Sequence, residues 1–199
     1  MAECVILEIE MLDYWHCGGG RSSGDYLDVL AERDSLGLPF VPGRLLKGLL
    51  RDALVRCEAF GHAPHGTAVA LFGARKSEPQ PAPGSLRVAD ARLPEALRHW
   101  LRAPGSTAYR QALSRELFTA AVDETTGITT ERRPRGMEAI VPLTLEAELR
   151  PIAGSAPPMD WRDSVATALP LIGAVGAYRT KGLGRCEIRI ANGGTHGAV

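Results

Sequence analysis

Leu38-Pro-Phe-Val-Pro-Gly-Arg-Leu-Leu-Lys-Gly-Leu-Leu-Arg51 is where the chain changes period. From here Leu46, Leu50, Ala53, Leu54 and Cys57 recur at three- and four-residue spacing, which predicts one apolar face of a helix. Pro42-Gly43 marks its start and Gly61 its end. Upstream the period is two: Val5, Leu7, Ile9 and Met11 alternate with Ile6, Glu8 and Glu10, the pattern of a half-buried strand. Downstream, Leu86–Ala91 reads as a short strand. Leu143, Leu145, Ala147 and Leu149 alternate with Thr144, Glu146 and Glu148 as a longer one. Asp160 is placed to cap a second helix with Val165, Ala168, Leu169 and Ile172 on its apolar face, kinked by Pro170 near its end. Cys186, Ile188 and Ile190 then alternate with Arg185, Glu187 and Arg189 in a last strand.

Strand, helix, strand, insertion, strand, helix, strand is the order of an α+β ferredoxin-like (RRM-like) core, with two core helices on one face of an antiparallel sheet. A single domain over 1–199 is expected, carrying a lid-like insertion at about 61–85 and a thumb-like one at about 118–136. The first is dense in Gly, Pro and Ser, with Leu71-Phe72-Gly73 as its apolar anchor. Pro94–Leu117 reads as mostly helical, broken at Pro104-Gly105. Ala121–Gly136, rich in Thr and Arg, reads as a protruding loop. Long loops in so compact a unit usually carry function, which draws attention to 17–42, 61–85 and 118–136.

Among 199 residues, 23 are basic and 23 acidic, so the net charge is zero. That excludes binding to nucleic acid by bulk charge and requires locally basic elements instead. With aromatics at 6%, base stacking is confined to a few places. The four cysteines, Cys4, Cys17, Cys57 and Cys186, have no paired spacing; Cys4 and Cys186 read as small core residues in strands. Glu3 and Glu8 interrupt the opening apolar run, and no window approaches a membrane span, so a cytoplasmic, reduced protein without membrane contact is expected.

Two basic elements stand out. Arg44, Lys47 and Arg51 share the helix face opposite the leucines. At the helix start, unpaired N–H groups and the Pro42-Gly43 backbone would let a phosphate approach closely. The same residues also fit an ordinary solvated face. The second element is Gly176-Ala-Tyr-Arg-Thr-Lys-Gly-Leu-Gly-Arg185, where Arg179, Lys181 and Arg185 supply charge and Tyr178 a stacking surface. Its order, helix–loop–strand, is not that of a P-loop; its plainer reading is a linker.

Leu38–Arg51 closely resembles the helix motif of the RAMP superfamily of CRISPR proteins, and Tyr178–Arg185 looks like that superfamily's carboxy-terminal glycine-rich loop. Leu71-Phe72-Gly73 is similar to its short apolar landmark. Ala121–Leu149 resembles the thumb hairpin and following strand of type III backbone subunits. The resemblance covers nearly the whole chain. It implies a subunit that binds guide RNA and paired target RNA beside further copies of itself and other CRISPR effector subunits. It also implies an aspartate in the first loop that cuts target RNA with Mg²⁺ or another divalent metal; Asp28 stands at the expected spacing, with Asp25 as the alternative. Arg21 in the same loop is a further RNA contact. In the thumb, Arg132, Arg133 and Arg135 form a basic cluster and Ile128 is the wedge between bases. Some relatives carry zinc before the apolar landmark, where this chain offers Cys57, His62 and His65, with Cys17 or His16 as a distant fourth ligand; Cys57 also fits the helix's apolar face. Two other readings within the resemblance are a non-cleaving backbone or capping subunit, and a metal-independent guide-processing endoribonuclease with His16 as general base.

Overall fold

The computed structural model describes residues 4–18, 29–74, 82–119 and 135–191. Strand β1 (Val5–Met11) buries Val5, Leu7, Ile9 and Met11 and leaves the alternate residues half-buried, as its period dictates. Helix α1 (Gly43–Ala59) buries Leu46, Leu50, Ala53, Leu54 and Cys57 and ends before Gly61, whose φ is +74°. Strand β2 (Leu86–Val88), strand β5 (Thr144–Pro151), helix α5 (Trp161–Ala168) and strand β6 (Cys186–Ile190) complete the core.

The sheet runs β2-β5-β1-β6, every neighbour antiparallel. Counting core strands in chain order, the sheet reads 2-3-1-4, the ferredoxin-like arrangement. Register follows the buried alternation: Leu7 faces Ala147 on one side and Ile190 on the other, and Ile9 faces Leu145 and Ile188. Placing the inward residues of three strands side by side gives α1 and α5 one continuous apolar surface to cover. Trp161 and Leu169 join Val165, Ala168 and Ile172 in that core.

The segment between β2 and β5 departs from expectation. Helix α3 (Glu95–Arg102), a 3₁₀ turn at Pro104–Ser106 and helix α4 (Thr107–Ala112) follow the helical reading. Ser114–Thr119, however, is a strand, β3, paired with β4 (Arg135–Ile140) in a separate two-stranded sheet. A strand made by pairing with a distant segment leaves little mark on local periodicity, since strand preference is mostly context. The insertion at 61–85 likewise holds a short helix, α2 (Thr67–Phe72), packed on α1.

Three smaller expectations are also revised. Asp160 precedes α5 but makes no side-chain cap; only its carbonyl is used, accepting from the Ser164 N–H at 3.0 Å. Pro170 falls in a 3₁₀ turn, Leu169–Leu171, that ends the helix rather than kinking it. Cys4 is exposed, whereas Cys186 is buried.

Candidate nucleic-acid interface

The start of α1 is closed by the protein itself. The Gly43 N–H donates to Asp90 Oδ1 at 2.9 Å, so a carboxylate already sits on the positive end of the helix. A Cβ on Gly43 would lie 2.5 Å from the Val88 carbonyl oxygen and 2.7 Å from that of Ala89. Glycine is therefore needed for the helix to rest against the exit of β2. The expected phosphate cradle at Gly43 is corrected accordingly: its donor and its missing side chain serve packing.

The three cations of α1 also part company. Arg44 is exposed, 3.5 Å from Glu32, and Lys47 is half-buried. Arg51 is only 9% exposed, and its Nε donates to the Gly73 carbonyl at 2.8 Å. Helix α2 packs on that flank of α1, and Arg51 lies buried between them, holding the end of α2 in place. This corrects its grouping with Arg44 and Lys47.

The glycine-rich loop is stitched to the end of β1. The Ala177 N–H donates to the His16 carbonyl and the Gly184 N–H to that of Tyr14, each at 2.8 Å. Gly176 (φ +96°) and Gly184 (φ +75°) pass so close that a Cβ would meet the carbonyl oxygens of His16 and Val175 at 2.4 and 2.0 Å. Between them Tyr178 adopts φ 58°, the one left-handed non-glycine residue among those described. Such a conformation in a tyrosine stores strain that its surroundings must hold. Its ring stands edge-on to His16 at 6.4 Å, with Lys181 Nζ over its face at 5.7 Å. Arg179–Lys181 form a 3₁₀ turn with Tyr178, Arg179, Thr180 and Lys181 all exposed. Arg185 is exposed but faces Asp13 at 3.1 Å. An open cleft of about 670 Å³ runs between this loop and α1, lined by Leu49, Asp52, Arg56, Leu171, Gly173 and Arg179.

His16 is 1% exposed. Its Nδ1 lies 2.6 Å from the Glu138 carbonyl. A carbonyl only accepts, so Nδ1 carries the proton, and Nε2 has no hydrogen-bond partner among the described residues. Tyr178 stands beside the imidazole, a neighbour the sequence could not place. Burial closes the ring off from solvent, however, which leaves the general-base reading of His16 without geometric support.

The first loop leaves and re-enters at one place: Gly18 bridges Ala31, and the Glu32 N–H donates to the Cys17 carbonyl at 2.7 Å. Its far half is ordered by Asp34, whose Oδ1 accepts the Leu36 and Leu38 N–H groups at 2.9 and 3.0 Å. Asp28, Asp25, Arg21, Ile128, Arg132 and Arg133 lie outside the described residues. Arg135 opens β4, opposite Thr119. Val29, the residue after Asp28, forms a bridge with Met137 of the same hairpin.

The zinc expectation does not fit. Cys57 is buried on α1 with its Sγ 3.9 Å from the Thr167 carbonyl on α5, while His62 and His65 are exposed. Among the described residues no group of three His, Cys, Asp or Glu side chains is placed to hold a metal ion. Burial pushes the Cys17 thiol up to about 12, with Glu32 adding to the effect, and burial alone raises Cys186 to about 11.

Residues 29–33 and the hairpin meet at Glu138, which sequence reasoning missed. Its carboxylate accepts from Arg33 Nη2 and from the Ala31 N–H, the latter at 3.0 Å. Burial alone would raise its carboxyl; the Arg33 guanidinium, helped by the Ala31 N–H and the Ser114 hydroxyl, outweighs this and holds it below the usual glutamate range.

These features define a ferredoxin-like domain with a hairpin inserted between its second and third core strands and a basic glycine-rich loop before its fourth. The chain belongs to the RAMP superfamily, whose model matches residues 8–187. No curated protein matches the sequence. The fold is shared with a chain of the Type III-B Cmr-beta bound to cognate target RNA, at a TM-score of 0.71 and 10% identity, over 94% of this chain and 97% of that one. It is shared as well with a chain of the apo state of Type III-B Cmr-beta, at 0.69 and 12%, over 95% and 97%. Among the described residues no helix is long and apolar enough to cross a membrane.

Proposed function

We propose that this chain is a cytoplasmic RNA-binding backbone subunit of a type III CRISPR effector complex, assembled on guide RNA beside further copies of itself and other effector subunits. The carrying observation is the exposed turn Tyr178–Lys181. An aromatic held at positive φ and two exposed cations, on a loop fixed to the core by Gly176 and Gly184, form a preorganised surface for a backbone phosphate and a neighbouring base. Arg44 adds charge from α1. Such contacts position RNA and carry no base specificity.

The same reading assigns target-RNA cleavage to Asp28, with Asp25 as the alternative. A divalent ion held by that carboxylate would supply charge at the scissile phosphate. The chain's own part is to present the loop at a fixed place beside the thumb hairpin.

Arg179→Ala and Lys181→Ala should each weaken guide-RNA binding and lower the salt slope by roughly 0.7. Asp28→Ala should keep that affinity while abolishing metal-dependent target cleavage by the reconstituted complex. Unchanged affinity in the Arg179/Lys181 double variant would overturn RNA binding by this loop; cleavage surviving in Asp28→Ala would overturn that assignment.

A further inference from the structure

Each polar group of Glu138 has a partner on the first loop or its root, and its carboxylate takes a further hydrogen bond from the Ser114 hydroxyl of β3. Its N–H donates to the Val29 carbonyl at 3.0 Å, and its own carbonyl accepts from His16 Nδ1 at 2.6 Å. Its Oε2 accepts from the Ala31 N–H at 3.0 Å, and its Oε1 pairs with Arg33. Arg33 reaches both strands of the hairpin, since its Nη2 also donates to Ser114 Oγ on β3 at 3.3 Å, while its Nη1 donates to the Gly37 carbonyl at 2.8 Å.

Within the hairpin the carboxylate meets one favourable group, the Ser114 hydroxyl on β3, and one unfavourable neighbour. Residue 138 stands directly opposite Glu116 on β3, and like charges facing each other across two strands are unfavourable. The residue is suited instead to what lies beside the hairpin: a guanidinium and a backbone N–H, both from the stretch that follows Asp28. With side chains 29% and 12% exposed, the Arg33–Glu138 pair is shielded enough from water to hold its geometry.

We propose that Glu138 is a positioning residue, coupling the thumb hairpin to the first loop so that the seating of the thumb on the RNA fixes where that loop meets the target strand. The proposal rests on the cleavage reading above. The strands of the hairpin and the residues after Asp28 are then one mechanical unit.

The test uses the reconstituted complex with guide and target RNA. Glu138→Ala should slow target cleavage at least tenfold and spread the cut over neighbouring phosphodiesters, with guide affinity within twofold of wild type. Amide exchange at residues 29–33 should accelerate in parallel. Glu138→Gln keeps an acceptor for the Ala31 N–H and should fall in between. The swap Arg33→Glu/Glu138→Arg restores the ion pair and should recover part of the rate. A merely structural role would not move the cut site.

Exchange unchanged at 29–33, or faster exchange with cleavage rate and position as in wild type, would overturn the coupling. Asp28→Ala run alongside separates the two readings. Cleavage persisting there removes the cleavage assignment; cleavage lost there but intact in Glu138→Ala removes this one.

Discussion

Replacing Arg51 by methionine keeps most of the aliphatic stem and removes the guanidinium. In the native chain its Nε donates to the Gly73 carbonyl at 2.8 Å from a residue 9% exposed. Gly73 is itself buried at φ +83°, with the Ala82 carbonyl and Gly84 nitrogen within 3 Å of where its Cβ would lie. Its carbonyl therefore cannot turn to water without loosening the end of α2. Losing a charged donor to such an acceptor costs about 1.5–3 kcal/mol. A chain of this size loses roughly 2–4 °C of Tm per kcal/mol, so a drop of about 3–12 °C is expected by circular dichroism. Arg51→Ala should lower Tm further, since two buried methylenes at ~0.8 kcal/mol each go with it. An RNA titration against salt provides the counter-measurement. An interior arginine leaves the slope of log affinity on log salt unchanged, while one on a phosphate removes about 0.7 from it. An unshifted Tm with a shallower slope would refute the placement of Arg51 inside.

Gly43→Ala should destabilise by about 1–3 kcal/mol in urea unfolding, because backbone oxygens at 2.5 and 2.7 Å cannot yield; alanine's helix preference, about 1 kcal/mol, is too small to compensate. At pH 8, Cys17 and Cys186, raised by burial to about 12 and 11, should resist iodoacetamide in the folded protein, whereas exposed Cys4 should be alkylated, as peptide mass spectrometry will show. Glu138 is held below the ordinary glutamate value of 4.5. Its contribution is therefore full above that value and fades as pH falls through the depressed one. Exchange protection at 29–33, corrected for the intrinsic rate, should hold from pH 7 to 5 and fall only in stronger acid, with Glu138→Gln flattening that acid limb.

The core was legible because its strands and helices each bury one face. β1 and β5 show period two and α1 shows period 3.6, and those periods alone order the ferredoxin-like frame. β3 was hidden: Ser-Arg-Glu-Leu-Phe-Thr has no alternation of its own and becomes a strand by meeting residues 135–140. At the candidate site, the basic turn 179–181 was visible as composition. The fates of Arg44 and Arg51 were not separable, since helical spacing puts both on one face and only the docking of α2 distinguishes them. Glu138 carried no signal, because its partners Ala31 and Arg33 are remote in sequence and the neighbour it pairs with, Glu116, argues against it.

The insertion between β2 and β5 begins and ends at hydrogen-bonded neighbours, with Arg92 bridged to Glu146. Its hairpin repeats the arrangement at the last described pair, where Thr119 faces Arg135. A chain that departs from and returns to adjacent points can change length there without shifting the register of any strand beneath. Doubling a flexible loop costs only about 0.6 kcal/mol in closure entropy. The fold thus offers evolution a graft point: the insertion can be lengthened or replaced while the frame that carries it stays the same.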